Sequence, residues 1–157
     1  MIGICAALMT ALKFAMSPLP NIEPISLLII LYTQTFGKKT LYILYVFIIV
    51  EGFIYGFSIW WIPYLYVWLI LYFAVQLIGD MDSSICWALV SAVFGLLFGT
   101  LCVVPTLITL GFSGAFAWIA SGFYFDLAHC AGNFFIALLL WKPLSLMFKK
   151  AKTQFVF

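Results

Sequence analysis

From Ser83 to Phe125 the chain carries no Asp, Glu, Lys or Arg, and from Thr40 to Gly79 it carries only Glu51. A water-soluble domain cannot cover its surface with so few charges. The scarcity extends along the whole chain, where 8% of 157 residues are charged and 67% are hydrophobic. The fold class expected is therefore an all-α integral membrane protein. At about 20 residues per crossing plus short turns, the length accommodates one domain of roughly five or six transmembrane helices, with no soluble domain beside them. The opening residues, "MIGICAALMTAL", lack the basic stretch that precedes the apolar core of a signal peptide, and they read as the first membrane helix.

Breakers and polar clusters divide the chain into six apolar segments, at about 3–17, 24–36, 40–57, 64–79, 84–111 and 115–147. The joints "SPLPNIEP", "GKK", "FSIWWIP", "GDMDSS" and "LGFSG" each contain residues that stop or redirect a helix. The second segment is too short to span comfortably, so it is tilted, extended at its ends, or shielded by its neighbours. Pro105, well inside the fifth, predicts a kink there.

Lysine placement sets the expected orientation. Lys38 and Lys39 fall in the second joint, and Lys142, Lys149, Lys150 and Lys152 follow or end the last helix. With six crossings these share one side, which puts both termini, "GKK" and "GDMDSS" in the cytoplasm. Trp60 and Trp61 then sit at the outer interface and Trp141 at the inner one, as an aromatic belt.

Several function classes fall away. The chain has seven lysines and no arginine, with a net charge of +2, too little basic surface for nucleic acid. Cys5, Cys86, Cys102 and Cys130 lie in apolar runs without metal-ligand spacing and read as small hydrophobes. No metal site, cofactor or catalytic residue is expected, because one histidine with a carboxylate lacks both a paired nucleophile and further ligands.

On the first helix Ala7, Ala11 and Ala15 recur every four positions and form one smooth stripe. Such a stripe serves close packing within a bundle or docking to a partner. Lys13 projects nearly opposite Ala11. If the alanines face a partner, its ammonium points into the bundle and needs a carboxylate, a ligand or water; otherwise it snorkels to the outer headgroups.

In "GFYFDLAHCAGNFFIALLLW" the residues Asp126, His129 and Asn133 are spaced three and four apart and share a face of the last helix. Isolated in hydrocarbon each is costly, so the stripe is expected to face the bundle interior or a wet cavity. Glu51 lies in the outer half of the third helix, and Asn21 and Glu23 lie in the first outer loop. With Lys13 and the aromatic residues Trp60, Trp61 and Tyr66, these groups compose a small-molecule pocket: aromatic walls and a few polar residues that fix orientation. The rival readings are a structural network that binds nothing and a membrane enzyme using Asp126 and His129.

Three stretches, "AALMTALKFAMSPLPNIEPISLLIILYTQTFGKKTLYILYVFIIVEGFIYGF", "IWWIPYLYVW" and "FDLAHCAGNFFIALLLWKP", together resemble the substrate-binding S components of energy-coupling factor transporters. The resemblance covers most of the chain. It implies a six-helix bundle in a prokaryotic cell membrane that captures a vitamin or related micronutrient from outside and topples to deliver it. It further implies an energising module as partner, made of a transmembrane coupling protein and two ATP-binding cassette ATPases. Ala7, Ala11 and Ala15 match the family's AxxxA docking pattern, and "SPLPNIEP" corresponds to its first outer loop, often a lid. One lysine and no arginine disfavour a polyanionic ligand. Lys13 clamping a carboxylate, and Glu51, Glu23 and Asp126 receiving an amine, both remain open, with a flat, weakly charged compound preferred.

Overall fold

The computed structural model describes residues 1–19 and 21–154. Its helices are α1 (Ile2–Ala15), α2 (Ile25–Phe36), α3 (Lys39–Tyr55), α4 (Tyr64–Ile78), α5 (Ser84–Leu101) and α6 (Val104–Gln154), with a 3-10 turn at Ile59–Trp61. The described residues contain no strand, and the six α-helices fit the count expected from the sequence. Pro20, one of three prolines in the first joint, lies outside the described residues.

The short second segment owes its place to its neighbours. Every residue of α2 from Ile25 to Thr33 is buried, and α2 touches α1, α3, α4, α5 and α6. Twelve residues reach only about 18 Å at 1.5 Å each. A helix enclosed on all sides can be short, because its ends are covered by protein. Of the three explanations the sequence leaves open, shielding is the one observed.

The fifth segment departs from expectation. Instead of one kinked helix over 84–111, α5 ends at Leu101 and the chain restarts at Val104. Pro105 thus stands in the first turn of a new helix, where its missing N–H interrupts no hydrogen bond. The joint expected over 110–114 contracts to Gly111, whose φ of 66° and ψ of −166° belong to a region open essentially to glycine alone. Helix resumes at once, so α6 consists of a short arm, 104–110, and a long arm, 112–154.

Among the described residues three stretches are long and apolar enough to cross a membrane: Ile59–Ile78, Ser84–Leu101 and Val104–Lys152. Large apolar side chains also cover the exterior, with Ile4, Phe53, Leu77 and Phe112 strongly exposed. A surface of this kind is compatible with a transmembrane protein.

The helices alternate in direction, which gives the bundle two distinct ends. At the lysine end the Gln34 side chain donates to Gly79 O at 2.8 Å, and Lys142 pairs with Asp82 at 3.1 Å. At the opposite, tryptophan end the loop between α1 and α2, the 3-10 turn and the elbow between α5 and α6 converge. The unusual polar groups gather there.

Candidate functional site

Lys13 leaves α1 on the face opposite Ala11 and points inward. Its Nζ lies 2.7 Å from Glu51 Oε2, donates to the Tyr64 hydroxyl at 2.9 Å, and stands 4.5 Å from the Tyr64 ring centroid. Glu51 is fully buried on α3. The ion pair fixes α1 to α3 and α4, while Glu51 Oε1 finds no hydrogen-bond partner.

The long arm of α6 meets α5 along Gly95 and Gly99. A Cβ at Gly95 would stand 2.9 Å from Asn133 Nδ2 and from His129 backbone, and one at Gly99 would stand 2.5 Å from Asp126 Oδ2. These glycines therefore make the groove in which the polar stripe lies. Its three members have different surroundings. Asp126 Oδ1 accepts from Gly99 N–H at 3.0 Å. His129 stacks edge-on to Phe98 with centroids 5.0 Å apart; it is 2% exposed, and neither ring nitrogen has a partner. Asn133 Nδ2 donates to Ser26 Oγ at 3.0 Å and to Ser91 O at 3.1 Å, tying α6 to α2 and α5.

Two adjoining cavities open between these elements. The first, about 400 Å³, is lined by Lys13, Ser17, Asn21, Glu23, Tyr64 and His129, among others. The second, about 580 Å³, is lined by Pro63, Gly99, Cys102, Pro105, Trp118 and Asp126, among others. Asn21, Trp60, Tyr64 and Phe98 border both. Trp60 meets Tyr64 edge-on at 5.5 Å and Tyr64 meets Phe98 at 6.4 Å, so a continuous aromatic wall runs between the two spaces. Volumes of this size suit small organic ligands.

The loop after α1 covers this end. Asn21 adopts φ 59° and donates from its side chain to Phe125 O at 3.2 Å, while Ile22 packs against Gly132. The Glu23 carboxyl is pushed above the ordinary carboxylate range by burial, against the opposing pull of Lys13.

Of the residues singled out by sequence, Lys13, Asn21, Glu23, Trp60, Asp126 and His129 line a cavity. Glu51 stands behind Lys13, and Asn133 is enclosed by helices. Trp61 donates to Ile48 O at 2.8 Å and Tyr66 to Leu101 O at 2.9 Å; both brace the framework around the site. Phe98, Gly99 and Trp118 also line the second cavity. Phe98 lies one turn past Phe94 in an apolar run and carries no local mark, and the four-residue spacing of Gly95 and Gly99 does not say what fills the groove between them. Trp118 donates to Gly99 O at 3.0 Å and is positioned only by the elbow at Gly111.

Ala7, Ala11 and Ala15 are all exposed, together with Gly3 one turn before. α1 packs inward through Cys5, Ala6 and Met9 instead, so the alanine stripe is not used within the bundle. Among the described residues no three His, Cys, Asp or Glu side chains are grouped as metal ligands. No protein-family model, curated protein or solved structure matches the chain.

Proposed function

We propose that this chain is the substrate-binding S component of an energy-coupling factor importer in a prokaryotic cell membrane. It captures a small vitamin-like compound outside and delivers it inward by toppling once docked to a coupling protein and two ATP-binding cassette ATPases. The observation that carries the reading is the division of α1: Lys13 enters a cavity walled by aromatic residues, while Ala7, Ala11 and Ala15 leave a smooth exposed stripe on the other side. A carrier that binds at one place and docks at another needs these two surfaces kept apart. The sequence resemblance to S components supports the same conclusion.

A structural network is the second reading, favoured by the Lys13–Glu51 pair and by the ties from Asn133 to Ser26 and Ser91. Two unpartnered nitrogens on a buried histidine beside an open cavity favour a bound ligand over it, since buried polar groups are nearly always satisfied. The test is native mass spectrometry of the purified chain after incubation with a metabolite extract. One small molecule bound one-to-one is the expected result; no bound compound from extracts rich in vitamins and their precursors would favour the network.

A further inference from the structure

We propose that the ligand is an organic monocation with a flat aromatic or heteroaromatic body, its positive nitrogen facing Asp126 and its ring among Trp60, Tyr64, Phe98 and Trp118. The inference rests on the ligand-binding reading above and specifies the ligand's chemical class.

Lys13 is the cation that lines these cavities, and it is already matched by Glu51 at 2.7 Å and by the Tyr64 hydroxyl at 2.9 Å. A ligand carboxylate on the third ammonium N–H would share a charge already matched by Glu51, placing two anions around one cation in a largely buried site. Lys13 is therefore a poor clamp for an acid.

Two other carboxylates are differently placed. Glu23 lines the first cavity and Asp126 the second. Among the described residues no cation lies within ion-pair distance of either. Asp126 has one neutral partner, the Gly99 N–H. Burial favours the neutral form of Glu23 and Lys13 still acts on it from beyond ion-pair distance, so Asp126 is the carboxylate at which a ligand cation would gain a counter-ion in the second cavity.

The walls favour the same class. Trp60, Tyr64, Phe98 and Trp118 border the second cavity together with Asp126, and aromatic faces attract cations, most strongly where water is excluded. His129 supplies the remaining specificity. A neutral imidazole offers one donor and one acceptor, and both nitrogens here are buried without partners at the first cavity. A ligand donor or acceptor in this cavity would satisfy one of them; the two nitrogens point too far apart for one ligand edge to reach both.

Three probes of nearly the same shape separate the charge requirement from apolar fit: tryptamine as cation, tryptophol as neutral compound and indole-3-acetate as anion. Binding to the purified chain in lipid nanodiscs is measured by microscale thermophoresis. Tryptamine is expected to bind roughly tenfold or more tightly than tryptophol, and indole-3-acetate most weakly. Asp126→Asn keeps an acceptor for Gly99 N–H and should erase most of the preference for tryptamine; Glu23→Gln should reduce it less. A preference for indole-3-acetate, or a preference for tryptamine unchanged in both variants, would overturn the proposal. Absence of tryptamine binding alongside a bound metabolite would overturn the cation assignment and leave the carrier reading standing, whereas absence of any bound compound would remove both.

Discussion

Gly99 donates its backbone N–H to Asp126 Oδ1 at 3.0 Å, and a methyl group on Gly99 would stand 2.5 Å from Asp126 Oδ2. The glycine that holds the carboxylate is also what makes room for it. Gly99→Ala must displace Asp126 or separate α5 from α6, and overpacking of this kind costs about 1–3 kcal/mol. Gly122→Ala, whose new methyl group meets nothing within 4 Å, serves as the matched control. Thermal unfolding in detergent should show a lowered Tm for the first and an unchanged or raised Tm for the second.

The Lys13–Glu51 pair predicts a strongly non-additive double-mutant cycle. Lys13→Met or Glu51→Met alone disrupts a buried ion pair and is expected to cost about 3–5 kcal/mol. Lys13→Met combined with Glu51→Met removes both charges and should recover most of that loss. Additive costs, measured by denaturant unfolding, would contradict the pairing.

Asn133 is enclosed by α2, α5 and α6 and lines neither cavity, which changes what its substitution should do. Asn133→Leu leaves Ser26 Oγ and Ser91 O without their donor and should lower stability by about 1–3 kcal/mol. Lys38→Ala, at an exposed turn, should leave both stability and binding nearly unchanged. A binding defect in Asn133→Leu with wild-type stability would instead place its amide against the ligand.

Two loop carboxylates should give opposite pH slopes. Hydrogen bonding to Lys142, with further help from its charge and that of Lys149, lowers the pKa of Asp82. Its contribution is present above the ordinary carboxylate value and lost as pH falls through the lowered one. Glu23 is raised, chiefly by burial, so the folded state loses stability as pH rises from the ordinary value through the raised one. In thermal unfolding as a function of pH, Asp82→Asn should remove the acid-side loss and Glu23→Gln the loss at higher pH. Exchanged effects would contradict these environments.

Much of this architecture was legible in the sequence because apolar runs and breakers are local signals. The expected segments 24–36 and 64–79 differ from α2 and α4 by one residue at an end. The stretch 84–111 is not one kinked helix, because Cys102 and Val103 are non-helical and Pro105 stands in the first turn of the helix that follows them. The spacing of Asp126, His129 and Asn133 correctly put them on one face, but helical spacing cannot say what each residue meets along seven positions of rise. That depends on α2 and α5, which bring Ser26 and Ser91 to Asn133, Phe98 to His129 and Gly99 to Asp126. The position of Lys13 opposite Ala11 is legible in the sequence, but whether it turns inward or snorkels is not; its pairing with Glu51 and Tyr64 arises from the meeting of α1 with α3 and α4, distant in sequence.

In the carrier reading proposed above, α1 keeps a docking surface and a ligand-facing surface separate. Ala11→Trp tests it directly: the variant is co-expressed with the coupling protein and ATPases, purified through an affinity tag on this chain, and analysed for both module and bound small molecule. Because Ala11 is exposed and lines neither cavity, the account predicts loss of the module with the ligand retained at the wild-type ratio. Retention of the module, or loss of module and ligand together from a chain that is still folded, would contradict it.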